Sequence, residues 1–191
     1  MPTQSALFIS SPTWVKQLQA LPQPVPSAVQ SWMFETHSLT QRLRAQFGNQ
    51  VAVRILKQYW YKPFITESRL LGLPPHRYTL IREVLLHVQD TPLILARSII
   101  PQQTIAVAHR NLAHLGTRPL GEVIFAYPNL QRRALELCTV PLDLWQNSCK
   151  QTCALPQSLW GRRTIYAIPT QPMLVSEFFM PELFRVADVK N

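Results

Sequence analysis

The chain lacks the short motifs that announce the commonest catalytic and cofactor chemistries. It contains no G-x-G-x-x-G, no phosphate-binding P-loop, no H-E-x-x-H and no C-x-x-C, so the usual dinucleotide, nucleotide, zinc-protease and dithiol signatures are absent. Cysteine is scarce: Cys138, Cys149 and Cys153 are the only three. An odd number, without the four-ligand spacing of a structural zinc site, speaks against both a disulfide framework and a zinc module and for a reducing compartment. No apolar run approaches the roughly 20 residues that cross a bilayer. The start MPTQSALFISSPTW has no basic stretch followed by a long apolar core, as a signal peptide would. A cytoplasmic protein without a membrane span is expected. Charged residues are also few, at 15%, too few for a chain kept disordered by charge.

What the sequence does contain is apolar surface and positive charge. With 191 residues, 47% of them hydrophobic, it can fill the core of a single domain. Nineteen Lys and Arg against ten Asp and Glu leave a net charge of +9, which favours an anionic partner. Arg132–Arg133 and Arg162–Arg163 are the only adjacent basic pairs. A nucleic-acid arm concentrates its charge in a run, so this scatter suits attraction of a small anion and no nucleic-acid partner is expected.

Residues 1–26 hold five of the 17 prolines and no clear period; they predict an irregular leader over the surface of one domain spanning 27–191. From Ser27 the pattern turns helical, with Val29, Trp32 and Met33 on one stripe. A second helix starts at Ser38, where Ser38 and Gln41 match a capping box, and Leu39, Leu43 and Phe47 recur until Gly48. The junction between these helices presents unpaired backbone N–H groups that can hold an anion, but the pattern favours the plainer alternative, an ordinary helical hairpin over a sheet.

Period-two or continuously apolar segments predict six strands, near 51–61, 78–89, 93–100, 130–138, 160–168 and 173–180. The short connectors QDTP and PTQP join two pairs of them as antiparallel hairpins. A helix is expected at 104–115, a tight turn at Pro119-Leu120-Gly121, and a long loop or small helical insertion over 139–159. The fold class is α+β. The five histidines, His37, His76, His87, His109 and His114, are scattered, and a spacing of five between the last two does not suit one helical face; no metal site is expected. Trp14, Trp32, Trp60, Trp145 and Trp160 read as core or cover.

Two charges fall where a core should be. In YTLIREVLLHVQ, alternation puts Arg82 on the same face as Leu80, Val84, Leu86 and Val88. In the last strand, Glu177 shares a face with Met173, Val175 and Phe179. Either the two form a structural ion pair, or they stand at opposite ends of one cavity and grip a ligand. Glu83, on the other face of its strand, is a further candidate partner for a neighbouring arginine.

The ordered set SLTQR (38–42), IREVLLHV (81–88), LARSIIP (95–101), LGTRPLGEVIF (115–125), LWGRR (159–163) and LVSEFFMP (174–181) resembles the bacterial chorismate pyruvate-lyase family over residues 27–184. The resemblance implies a six-stranded antiparallel sheet with helices on one face and helical flaps over an internal ligand pocket. It implies a cofactor-free lyase, expected to act as a monomer, that removes pyruvate from chorismate to leave 4-hydroxybenzoate, an aromatic precursor of a prenylated quinone. It also implies roles for four residues. Arg82 would pair with the ring carboxylate, assisted by the backbone N–H groups of Leu39 and Leu120, and Glu177 would meet the ring hydroxyl at the far end. Leu39 stands where the family pattern has methionine; a backbone donor tolerates that change. The reaction becomes favourable as the ring turns aromatic, so orientation and fixed charge suffice, and Glu177 either orients the hydroxyl or transfers a proton. The rival reading is a non-catalytic ligand-sensing domain related to the effector-binding domains of transcription regulators.

Overall fold

The computed structural model describes residues 4–108 and 112–185. Six strands, β1 (Val51–Tyr61), β2 (Thr79–Val88), β3 (Thr91–Ile100), β4 (Gln131–Pro141), β5 (Ser158–Ile168) and β6 (Gln171–Phe179), form one sheet in the order β1-β2-β3-β6-β5-β4. Every neighbouring pair is antiparallel. The helices are short: α1 (Ser27–Met33), α2 (Leu39–Phe47), α3 (Ile65–Leu70), α4 (Gln102–Val107), α5 (Leu120–Ile124), α6 (Asn147–Thr152) and α7 (Glu182–Arg185). None of the described helices is long and apolar enough to cross a membrane.

All six expected strands are present, because each carries enough β-branched or alternating apolar residues to cover a pleated face. Both expected hairpins close through two residues, Gln89-Asp90 and Pro169-Thr170. Gln89 takes a positive φ of 50°, a backbone state that two-residue hairpin turns use to match the strand twist. At α2 the Ser38 side chain accepts a hydrogen bond from the Gln41 N–H, and the helix stops at Gly48 with φ 78°, as the sequence signals require.

Alternation divides the sheet residues between two covers. On one face Val84, Leu86, Ile94, Ala96 and Phe179 pack under α1 and α2, while Leu80, Ile100, Tyr166, Met173 and Val175 pack under α4 and α5. This is the expected helical layer. The opposite face carries a thinner cover that includes Leu71, just past α3, and Cys149 of α6, with the N-terminal segment laid between strands and loops.

That segment is not only a surface leader. Leu7 and Phe8 are fully or almost fully buried against Leu85, Leu95, Trp145 and Phe178, and Phe8 stacks edge-on to Phe178 at 5.0 Å. Val15 exchanges backbone hydrogen bonds with Leu137 of the edge strand β4, at 2.8 and 2.7 Å, occupying ladder groups that would otherwise be open. The second face has too little helix of its own, and burial of Leu7 and Phe8 supplies the missing apolar contact.

Two other expectations are revised. The helix expected over 104–115 is the shorter α4, capped by Pro101 and Ala108; Leu112 and Leu115 are buried without being helical, and His109 lies outside the described residues. Pro119-Leu120-Gly121 is the start of α5, with Pro119 at its N-cap in extended conformation. Helix α3 was not expected. The segment 139–159 contains the end of β4, a 3₁₀ turn at Leu142–Leu144, α6 and the start of β5.

Inside the second face, Arg97 is held by two carboxylates. Its Nε and Nη2 donate to the two oxygens of Glu67 at 2.8 and 2.9 Å, and its Nη1 donates to Glu83 at 2.7 Å. Glu83 also accepts from Ser5 Oγ and, at 2.6 Å, from the Ala6 N–H. Burial works against the charge, but Glu67 and Glu83 together raise the Arg97 pKa above its ordinary value. Glu83 thus has its arginine partner, and the cluster ties the N-terminal segment to β2 and β3.

Gly161 on β5 leaves no room for a side chain, since a Cβ there would stand 2.6 Å from a Phe178 ring carbon and 2.9 Å from Cys138 Sγ. Gly161→Ala is therefore expected to destabilise the fold by about 1–3 kcal/mol through overpacking. Thermal unfolding should read this as a drop of several degrees; an unchanged midpoint would show that Phe178 can retreat.

Candidate active site

A narrow cavity of about 50 Å³ lies between the sheet and the helices α2 and α5. Leu39, Arg82, Leu120 and Glu177, the four residues singled out from sequence, all line it. Its walls are aliphatic and aromatic: Val84, Ile94, Ala96, Val175, Ile124 and Phe125 among others. Alternation explains the two charges, because Arg82 on β2 and Glu177 on β6 lie on the strand face that the helices cover.

Arg82 and Glu177 do not pair with each other. Arg82 is 2% exposed and donates from Nη2 to the carbonyls of Gly116 and Arg118 at 2.9 and 3.0 Å. Its Nε is buried without a partner. Among the described residues no carboxylate forms a salt bridge with it. Burial pulls its pKa down to about 10, so the group stays cationic at neutral pH and is poised to gain from a visiting anion.

Two helix starts stand beside that cation. Leu39 and Thr40 open α2, and Leu120 and Gly121 open α5. A Cβ on Gly121 would meet Ser38 Oγ at 3.0 Å and Thr40 Oγ1 at 3.2 Å, so glycine permits the two starts to touch. An ion pair between Arg44 and Glu122 joins the same helices. The first N–H groups of each helix have no carbonyl within their own helix to accept them. Together with the guanidinium they make this end of the cavity electropositive.

The other end is acidic and hydroxylic. Glu177 Oε2 accepts from Arg162 Nε at 2.7 Å, and its second oxygen has no hydrogen-bond partner among the described residues. Arg162 Nη1 reaches the carbonyls of Trp32, Met33 and Glu35, at 3.3, 3.2 and 2.7 Å, satisfying the free carbonyls at the end of α1. Tyr166 stands next to this pair, packed edge-on against Phe125 at 5.7 Å; burial, then the Glu177 charge, raises its pKa. The cavity is thus a slot with a cation and N–H donors at one end and a carboxylate acceptor at the other.

Sequence reasoning missed Arg162 and Tyr166 as cavity residues. The signal was available: Trp160, Arg162, Thr164 and Tyr166 share one strand face, and a buried arginine there raises the same question as Arg82. The buried thiols take no part in the cavity lining; burial pushes Cys149 up to about 12 and Cys138 higher than its ordinary value. Among the described residues no group of three or more His, Cys, Asp or Glu is arranged to hold a metal ion.

The antiparallel α+β architecture that encloses this apolar, cation-bearing cavity is shared, as a fold, by solved structures. PhnF from Mycobacterium smegmatis aligns with a TM-score of 0.58 at 12% identity, over 79% of this chain and 67% of that one. A GntR-family transcriptional regulator from Bacillus cereus aligns with a TM-score of 0.55 at 15% identity, over 72% and 96% of the two chains. At such identities the likeness shows the fold alone. The sequence places the chain more closely. The family model described as chorismate lyase matches residues 8–189, and the chain belongs to that family of lyases. A "Probable chorismate pyruvate-lyase" of Methylococcus capsulatus is 41% identical over 160 residues, 84% of this chain and 99% of that protein. One of Coxiella burnetii is 32% identical over 182 residues, 92% and 98% of the two.

Because Arg82 has no carboxylate partner to lose, Arg82→Met is expected to fold with unchanged or slightly higher stability, replacing a buried charge by an apolar chain of similar length. Affinity for an aromatic carboxylate such as benzoate should fall about 10- to 100-fold, the scale of a charged hydrogen bond. Thermal unfolding and calorimetric titration separate the two effects. A loss of several kcal/mol of stability with intact binding would make Arg82 a structural residue.

Proposed function

We propose that the protein cleaves chorismate into 4-hydroxybenzoate and pyruvate without a cofactor, the aromatic product serving as a precursor of a prenylated quinone. The observation that carries this reading is the placement of Arg82 and Glu177 at separate stations of one slot, each with its own protein partners, in a chain of the chorismate lyase family. The ring carboxylate would lie against Arg82 and the N–H groups of Leu39 and Leu120. The ring hydroxyl, para to it, would donate to the free oxygen of Glu177.

In this reaction the ether bond between the ring and the enolpyruvyl oxygen breaks, and the hydrogen on the hydroxyl-bearing ring carbon is lost. The third ring double bond forms and the ring becomes aromatic. The departing enolpyruvate becomes pyruvate by gaining a hydrogen on its methylene carbon, passed directly from the ring or taken up as a proton after a base has removed the ring proton. The chain's part is to hold a flexible dianion in the reactive conformer and to keep water out. Val84, Ala96, Val175, Ile124 and Phe125 supply the dry wall that keeps the Arg82 charge effective. Glu177, fixed by Arg162, either orients the hydroxyl while hydrogen passes directly to the leaving group or receives the proton itself.

Purified protein incubated with chorismate and no added cofactor should release 4-hydroxybenzoate and pyruvate in equal amounts. A ligand-sensing domain would bind without releasing pyruvate, and that outcome would end the lyase reading. Single-turnover measurement of Glu177→Gln then decides the role of the carboxylate. A modest loss indicates orientation, whereas a loss of about 10²-fold or more indicates proton transfer. Rates equal to the parent across pH 5 to 9 would remove Glu177 from the chemistry. Because both ends of 4-hydroxybenzoate are matched inside a closed site, added product should slow turnover strongly.

A further inference from the structure

Three arginines converge near Glu35, at the turn after α1, and only two of them have a carboxylate. Arg42 Nη1 bridges to the Glu35 carboxylate at 3.2 Å, and Arg162 Nε to Glu177 at 2.7 Å. The third is Arg132 on β4. Its Nη1 donates to the Glu35 carbonyl at 3.2 Å, the same oxygen that Arg162 Nη1 takes at 2.7 Å. Its Nη2 is buried without a partner. Among the described residues no carboxylate forms a salt bridge with Arg132, and burial, with Arg162 alongside, lowers its pKa.

The strand is shaped to put it there. Leu135 stands opposite Thr164, but Arg132, not Arg133, stands opposite Tyr166, because β4 carries an irregular register between Arg132 and Ala134. The extra residue, Arg133, is exposed and turns to Gln131. Residues directly opposite in an antiparallel pair share a face, so the bulge puts Arg132 on the sheet face of Tyr166 and Glu177, two residues that line the cavity. Bulges recur beside active sites for this purpose, re-aiming a side chain that regular pairing would send to the other face.

We propose that Arg132 binds the second carboxylate of the substrate, the one carried by the enolpyruvyl group. The proposal rests on the reading of the slot as a chorismate site. With the ring hydroxyl at Glu177, the ether-bearing carbon is the adjacent ring atom, so the enolpyruvyl carboxylate, a few bonds from that carbon, must lie close to Glu177. Two carboxylates so close together repel unless each has a cation. Arg162 is committed to Glu177, and Arg132 is the neighbouring cation with an unused donor. Ring carboxylate and side-chain carboxylate are then held by different arginines, Arg82 and Arg132, which fixes the flexible ether in one orientation. The aromatic product has no second carboxylate and makes no use of Arg132.

That asymmetry supplies the test. Arg132→Gln and Arg132→Lys are compared with the parent protein in chorismate turnover and in equilibrium binding of 4-hydroxybenzoate. The expected result is a fall of about 10- to 100-fold in kcat/KM for chorismate with Arg132→Gln, partial recovery with Arg132→Lys, and a product dissociation constant within about threefold of the parent in both. Product affinity falling in parallel with kcat/KM would make Arg132 a structural support of the pocket and overturn the proposal. So would kcat/KM within about twofold of the parent. Failure of the parent protein itself to release pyruvate from chorismate would instead sink the lyase reading, which keeps the two failures apart.

Discussion

The guanidinium of Arg82 is enclosed by aliphatic strand neighbours and two helix starts, and it is held by the carbonyls of Gly116 and Arg118 with no carboxylate in reach among the described residues. Burying a cation this way costs several kcal/mol that carbonyl contacts only partly offset. The rest of the cavity is arranged around that imbalance. Gly121 lets α2 and α5 meet so that their unpaired N–H groups add positive potential rather than a competing anion. Glu177, the carboxylate lining the same cavity, is paired with its own arginine, Arg162.

A comparison within the same two strands shows what a purely structural arginine looks like. One position removed from the Arg82–Ser98 pair, Glu83 stands opposite Arg97. There the guanidinium uses three nitrogens on two carboxylates. That face has no free donor on Arg97 directed to a ligand, and the cluster serves to fasten Ser5 and the N-terminal segment to the sheet. A fully compensated guanidinium on one face and one without a carboxylate on the other, carried by the adjacent strands β3 and β2, distinguish the packing side of the sheet from the cavity side. Replacing either arrangement by the other would fill the slot with a carboxylate or leave two buried acids without a cation.

The legible parts of the fold were those governed by local periodicity. Six strands could be read because Val, Ile and Leu recur at period two or in short runs, and the α2 boundaries because Ser38 and Gly48 are chemical start and stop signals. Helix α3 was not legible: its six residues carry one acidic side chain whose value lies in reaching Arg97, 30 positions away. The expected helix over 104–115 was overlong because Leu112 and Leu115 keep helical spacing yet are buried from a turn. The N-terminal segment was misjudged because five prolines speak for irregular backbone and say nothing about whether Leu7 and Phe8 will be needed as cover.

Sequence alone determined that Arg82 and Glu177 would face inward, since strand parity is a local property set by the period of the backbone. It could not determine whether they would neutralise each other, because that depends on where β6 inserts beside β3 and on which other charges the fold brings up. Tertiary structure decided this by pairing Glu177 with Arg162 across β5 and β6, seating Arg82 under the starts of α2 and α5, and bulging β4 so that Arg132 stands opposite Tyr166. Each of those three events joins residues far apart in the chain, and the free energy of a buried charge is fixed by such neighbours, not by its own flanking sequence.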